Sequence, residues 1–324
     1  MKQFLARACL AFASAGLAAP SQAAGEGAAA WKPDGPVSFV LGFGAGGGHY
    51  ALAQIMQMRM SEELGQTVVI MPKPGAQGMI AAGFTAQARP DGRTISMVGP
   101  AQMAILPFAK RASFSPFDLT LVSRLVSMSY AIVTRPDQPE IKTLQDAIDL
   151  SKHADVTYGS IGPGSTNSLT GYLINAMSGS KFRDVGYKNG GQALLAAMSG
   201  ETTLAVGDTA SHELIASGRL RALATTGATR EARFPDVPTV AETIPGFQVT
   251  NWIGIIAPPG TPREAADRYR QVFAKILAEP DVVEKVRQLA MTPIVTTPEE
   301  FRDTVRTEID RWGKLMKDNH ITLE

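Results

Sequence analysis

Short apolar runs rich in β-branched residues alternate with helical patterns along most of the chain, the signature of an α/β architecture. Val37–Leu41 reads as a first strand. A glycine run follows, then Ala51–Leu64, where Leu52, Ile55, Met56 and Met60 recur at helical spacing. Thr67–Met71 reads as a second strand, Gly78–Ala88 as a helix of small residues and Thr94–Val98 as a third strand. This β-α-β-α-β order predicts parallel pairing. A second unit follows Leu121. Its strands are expected at Tyr130–Thr134, Val156–Tyr158, Thr202–Val206 and Leu220–Thr225, and its helices at Ser165–Met177, Gly190–Met198 and Ser211–Ser217. Trp252–Ala257 is a further apolar strand. The remainder is helical over Pro262–Ala278, Asp281–Leu289 and Pro298–Asp318. Thr261-Pro262 and Thr297-Pro298 both offer an N-cap followed by a first-turn proline.

Composition narrows the function classes. Of 324 residues, 44% are hydrophobic and 19% charged, so a globular core is affordable in apolar material. The net charge of +1 argues against a nucleic-acid binder, which needs a basic face. One cysteine excludes a disulfide framework. Residues 1–23 read as an export signal: Lys2 and Arg7 make a basic start, Cys9–Ala19 is a short uncharged apolar run, and Ser21-Gln22-Ala23 ends it with small residues at the positions a signal peptidase inspects. The apolar run is shorter than the ~20 residues needed to span a bilayer. Removing it takes away the sole cysteine, which suits an oxidising compartment. Residues 24–34 form a small, polar lead-in.

The densest chemical signal is the loop after the first strand, Gly42-Phe43-Gly44-Ala45-Gly46-Gly47-Gly48. Glycines let the backbone approach a ligand closely, and the free N–H groups at the following helix start favour a carboxylate or phosphate. The same residues match the dinucleotide pattern G-x-G-x-x-G. An NADP-dependent oxidoreductase is therefore the rival reading, with Lys73 near a 2′-phosphate. Against it, no acidic residue ends the second strand, where Pro72-Lys73-Pro74 stands. Pro74-Gly75-Ala76-Gln77-Gly78 follows the second strand, and Gly99-Pro100-Ala101-Gln102 the third. Gly162-Pro163-Gly164-Ser165-Thr166-Asn167 opens a helix that Ser165, Thr166 or Asn167 would cap. Asp208 falls at a strand end, placed to accept loop N–H groups or to meet a ligand. Ligands of open α/β sheets sit beyond the carboxyl ends of strands, where all these loops lie. Gly-x-Ser-x-Gly, H-E-x-x-H and G-x-x-x-x-G-K-[ST] are absent, and His49, His153, His212 and His320 are scattered. No catalytic residue, cofactor or metal is expected.

In this order the loops resemble the periplasmic substrate-binding proteins of tripartite tricarboxylate transporters, the Bug or TctC-like family. The resemblance rests on Val40–Gly48, Lys73–Gly78, Arg89–Thr94, Tyr158–Asn167, Tyr187–Gly190, Gly218–Ala224, Pro235–Val240, Ala257–Pro262 and Thr297–Phe301. It implies a type II periplasmic-binding-protein fold of two α/β lobes joined by two crossovers, with a ligand cleft between them. Residues 35–127 and 253–324 would form the first lobe, and 128–252 the second. It also implies a monomeric, non-enzymatic periplasmic protein that holds a small carboxylate for the membrane subunits of such a transporter. The contacts would come from Phe43, Gly44, Ala45, Gly46, Gly47, Gly48, His49 and Tyr50 on the first loop. Gln77 and Gly78, then Gly99, Pro100, Ala101 and Gln102, would follow. Gly162, Gly164, Ser165, Thr166, Asn167 and Asp208 would face them from the second lobe. The family commonly has Thr or Ser then Asp where His49-Tyr50 stands. Losing that acid removes a partner for a ligand ammonium group, while Phe43 and Tyr50 offer an aromatic wall. The expectation is a non-amino carboxylate, an aromatic one among the candidates.

Overall fold

A computed structural model of the chain describes residues 31–45, 47–106 and 114–322; the expected export signal, most of the lead-in and Gly46 lie outside them. The first lobe opens with β1 (Val37–Leu41), α1 (Gly48–Leu64), β2 (Val68–Pro72), a short 3-10 turn at Ala76–Gly78, α2 (Met79–Ala86) and β3 (Thr94–Val98). A π-helical turn, Ala101–Ile105, precedes β4 (Thr120–Met128). The second lobe contains β5 (Ala131–Thr134), α3 (Leu144–Leu150), β6 (Thr157–Ser160), α4 (Thr166–Ser178), β7 (Arg183–Gly186) and α5 (Gly190–Ser199). It continues through β8 (Leu204–Gly207), α6 (Ser211–Ala216), β9 (Arg221–Thr225) and α7 (Val240–Thr243). The chain then forms β10 (Asn251–Ala257), α8 (Arg263–Ile276), α9 (Pro280–Gln288), β11 (Thr292–Pro293) and α10 (Pro298–Asp318).

Two mixed sheets result. The first has the order β11-β4-β10-β3-β1-β2, the second β7-β6-β8-β5-β9. β1 runs parallel to both β2 and β3, as the β-α-β-α-β pattern requires. β10 enters between β3 and β4 antiparallel to both. The chain leaves the first sheet at Met128 and enters the second at Ala131; it leaves the second at Thr225 and re-enters the first at Asn251. These are the two crossovers.

Each lobe has its own apolar core. Phe39, Leu52, Met56, Ile253, Tyr269 and Phe273 are fully buried in the first. Ile132, Tyr158, Leu169 and Phe247 anchor the second. Burying side chains of this size contributes about 1.5–3 kcal/mol each. α10 belongs to both. Its Phe301 and Val305 pack with Trp252 and Met103, and its Trp312, Leu315 and Met316 pack with the second lobe's core.

Helix starts show where local chemistry sufficed. Thr297 caps α10, with Glu300 completing a capping box and Pro298 in the first turn. Thr261 does not cap α8. Its hydroxyl donates to Pro258 O (2.8 Å), Pro262 occupies the N-cap, and the helix begins at Arg263. The Pro258-Pro259-Gly260 turn has captured the hydroxyl that would otherwise have faced the helix.

Candidate functional site

Three first-lobe loops converge beyond the carboxyl ends of β1, β2 and β3. A Cβ added at Gly42 would lie 2.7 Å from Gly78 Cα, so the β1 and β2 loops touch backbone to backbone. Gly75 to Gly78 all have positive φ, including Ala76 (46°) and Gln77 (53°). Non-glycine residues in this region cost on the order of 1 kcal/mol or more each. That conformation turns Gln77 so that its carbonyl accepts from Gln102 Nε2, while Gln102 Oε1 accepts from Gly99 N at 2.7 Å. Gln102 is 2% exposed. One buried amide thus ties the second and third loops together.

The first loop ends at α1. Its N-cap, Gly47, brings no side-chain cap, and no acidic residue occupies the first turn. The earliest amide with a partner inside the helix is Ala51 N, donating to Gly47 O at 3.1 Å. The positive end of a 17-residue helix is therefore left for something else. A Cβ on Gly48 would lie 2.9 Å from Met291 Cε and 3.7 Å from Thr209 Oγ1, which places this helix start directly against the second lobe. His49 stacks on Phe43 with ring centroids 4.7 Å apart. Burial pushes its imidazole down to about 4, so it is neutral at pH 7, and its Nε2 has no partner. Tyr50 packs against the first lobe's core, so the aromatic surface at this loop is Phe43 with His49.

The second lobe answers with α4. Ser165 caps it: its Oγ accepts from Ser168 N (3.2 Å) and donates to Gly162 O (2.6 Å). Gly162 and Gly164 both have positive φ (88° and 80°), which shapes the turn that presents the cap. Asn167 is 4% exposed. Its Nδ2 donates to Val206 O on β8 (3.4 Å), and its Oδ1 has no partner. Asp208 follows β8. Its Oδ1 accepts from Ala210 N (3.0 Å), and a Cβ on Gly190 would lie 3.1 Å from its Oδ2, placing the carboxylate at the start of α5. Burial raises its pKa above the usual carboxylate range.

One hydrogen bond joins the two halves directly: Gln77 Nε2 donates to Ile161 O (3.0 Å), next to Gly162. The structure thus gathers the loops at Gly42–Ala45 with Gly47–Tyr50, Gly75–Gly78, Gly99–Gln102 and Gly162–Asn167. Tyr130 was not anticipated. It stands just after the first crossover, is 5% exposed, and its hydroxyl meets the Thr166 side chain within electrostatic range of Asp208. The sequence places it at a strand start, and only the return of α4 and β8 to that strand brings it to the site.

Lys73, the dinucleotide reading's candidate for a 2′-phosphate, holds its ammonium 4.1 Å from the Phe84 ring centroid. The space behind Gly42 is filled by Gly78. Among the described residues there is no cluster of His, Cys, Asp and Glu suited to a metal, and no helix long and apolar enough to cross a membrane.

The family model described as the tripartite tricarboxylate transporter family receptor matches residues 52–321. A Cupriavidus necator protein called "UPF0065 protein in gbd 5'region" is 32% identical over 95% of this chain and 95% of its own length. Among solved structures, an R. palustris protein with adipate superposes with a TM-score of 0.82 at 29% identity, over 90% of this chain and 99% of that one. MatC from Rhodopseudomonas palustris with bound malate gives 0.77 at 27% identity, over 87% and 99%. With two lobes, two crossovers and this match over most of its length, the chain belongs to the tripartite tricarboxylate transporter receptor family of periplasmic solute-binding proteins.

Proposed function

We propose that this protein captures a small organic carboxylate in the cleft between its lobes and delivers it to the membrane subunits of a tripartite tricarboxylate-type transporter. The observation that carries this reading is the uncapped start of α1 lying against the second lobe, where α4 also begins. Backbone amides at helix starts bind anions without a cationic side chain. No Lys or Arg occurs in residues 43–50, 75–78, 99–102 or 162–167. The adipate and malate held by the two solved relatives support the same ligand class.

The finer assignments follow from this reading. The contacts come from the four loops and Asp208. Phe43 with His49 forms an aromatic surface suited to a non-amino carboxylate. Residues 35–127 with 253–324 form one lobe and 128–252 the other, an assignment that the sheet memberships support. The protein acts as a monomer in the periplasm, without catalysis, after loss of residues 1–23.

Calorimetric titration of the chain lacking residues 1–23 tests the reading, with adipate, malate, succinate and benzoate as ligands. A bound acid at 100 times its Kd should add about 2.7 kcal/mol of stability and raise the melting temperature. Fluorescence titration with NADPH provides the contrast. Binding of NADPH with no response to any acid would replace this reading with the dinucleotide one.

A further inference from the structure

The polar groups on the second-lobe side are acceptors. Asn167 Oδ1 is buried in the first turn of α4 without a partner. Its Nδ2 is fixed on Val206 O, so the amide is oriented with Oδ1 as the free end. Asp208 lies two residues further along from Val206, within ~7 Å at strand rise. The Tyr130 hydroxyl meets Thr166, the residue before Asn167 on α4, and feels the charge of Asp208. A buried acceptor left unmatched is costly, so a ligand seated here gains by bringing a donor.

Charge arithmetic points the same way. A helix start carries about half an elementary charge. Asp208 already occupies the start of α5. The starts of α1 and α2, both without a side-chain cap, and that of α4 remain for a ligand; together they balance about one and a half negative charges, short of the two a dicarboxylate carries. A second carboxylate would meet the Asp208 carboxylate, with no cation in the four loops to offset it. Lys188, on the segment before α5, is exposed. No acidic residue stands in the first turn of α1 to partner an ammonium group there.

Resting on the carboxylate reading above, we propose that the cleft selects a hydroxy monocarboxylic acid, its carboxylate on the α1 and α4 amides and its one hydroxyl hydrogen shared in a three-centre bond by Asn167 Oδ1 and the Asp208 carboxylate. This assigns Asn167 and Asp208 the choice among carboxylates, and the helix starts the grip common to all of them.

The test is a calorimetric series on matched skeletons: butyrate, its 2-, 3- and 4-hydroxy derivatives, 4-aminobutyrate and succinate, with benzoate, 4-hydroxybenzoate and terephthalate in parallel. A hydroxy acid should bind about tenfold or more tighter than its parent and its dicarboxylate. Asp208→Asn, which keeps an acceptor for Ala210 N, should weaken the hydroxy acid about tenfold and narrow the gap to succinate or terephthalate. Asn167→Ala should weaken the hydroxy acid and leave the parent acid unchanged, with melting curves confirming that both variants fold. The proposal is overturned if a dicarboxylate or 4-aminobutyrate binds tightest, or if no hydroxyl improves binding. Tight dicarboxylate binding lost on Lys188→Ala would overturn it and identify the missing cation, while leaving the carboxylate reading intact. If no acid in the series binds, and neither adipate nor malate does, both readings fall together.

Discussion

The two halves of the cleft reach similar chemistry by opposite means. The first-lobe half is built from strained backbone. Four consecutive positive-φ residues and a glycine contact hold its loops together, and its helix start is left without a cap. The second-lobe half is built from side chains. Ser165 caps its helix, and Asn167 and Asp208 are held by bonds to the backbone of β8 and its following loop. A surface of bare amides grips any carboxylate alike, whereas oriented side chains can tell one from another. The comparison therefore assigns affinity mainly to the first lobe and discrimination to the second.

The sharpest test concerns the element that both halves share. Glu308 lies midway along α10, 6% exposed, and its Oε1 accepts from Trp252 Nε1 at 3.0 Å. Burial pushes its carboxyl up to about 7 from 4.5, although the Trp252 bond and the charges of Arg311 and Arg124 act against the shift. A carboxyl whose pKa is raised in the folded state favours folding when protonated. Below pH 4.5 it is protonated in both states. As the pH rises from 4.5 to 7 the unfolded chain releases its proton first, and stability falls by about 3 kcal/mol before levelling off above 7. Glu308→Gln keeps the acceptor for Trp252 and should remove that fall. Denaturant titrations of both proteins between pH 4 and 8 would show it. Equal slopes for the two proteins would mean that Glu308 is not the group responsible.

Gly42→Ala should cost about 1–3 kcal/mol, the range for forcing a methyl group into filled space. It should also weaken every carboxylate together, because the β1 and β2 loops must part to admit a Cβ 2.7 Å from Gly78 Cα. Gly190→Ala is its second-lobe counterpart, with the new Cβ 3.1 Å from a movable carboxylate oxygen. Its expected cost is below about 1 kcal/mol, with a change in the ranking of ligands rather than a uniform loss. Melting curves and titrations on the pair would break the comparison if Gly42→Ala altered ranking and Gly190→Ala altered only affinity.

Legibility in the sequence followed the same division. β-α-β-α-β order and the glycine loops could be read because periodicity and glycine runs are local signals, whereas the crossovers were implied by the family resemblance alone. The Thr297 cap was legible for the same reason, whereas Thr261 was not, since a neighbouring turn captured its hydroxyl. β4 was not identified as a nine-residue strand, because Ser123 and Arg124 interrupt its apolar run. Both are used by tertiary contacts: Ser123 Oγ donates to Thr296 O (2.9 Å), and Arg124 N donates to Thr296 Oγ1 (3.0 Å). The edge strand β7, Arg183–Gly186, carries too little apolar character to stand out. At the site, Gln77 was visible only as part of a motif. Its left-handed backbone and its reach to Ile161 arise from the fold, and non-glycine residues give no warning of positive φ.

Ser165→Ala should lower stability by about 1 kcal/mol, the usual cost of losing an N-cap. It frees Ser168 N, so it should slightly loosen the second-lobe half while leaving a first-lobe variant's effect unchanged. The two positions share no hydrogen-bond partner, a condition under which costs usually add. Combining it with Gly42→Ala should therefore give the sum of the two costs in denaturant titration. A strongly non-additive pair would show that the halves are one cooperative unit.

The smallest expected effect is the most direct about closure. Gln77→Leu removes the one described side-chain bond between the two sets of loops, a partly buried hydrogen bond from Nε2 to Ile161 O. Such a bond contributes about 0.5–1.5 kcal/mol. If that contact forms only as the lobes come together on a ligand, the cost should fall on ligand binding, as a severalfold weaker Kd, with the melting temperature of the ligand-free protein unchanged. The loss should be the same for every acid, since the bond touches neither Asn167 nor Asp208. A drop in ligand-free stability with Kd unaltered would mean that the halves are already locked together, and that the cleft admits its ligand without opening.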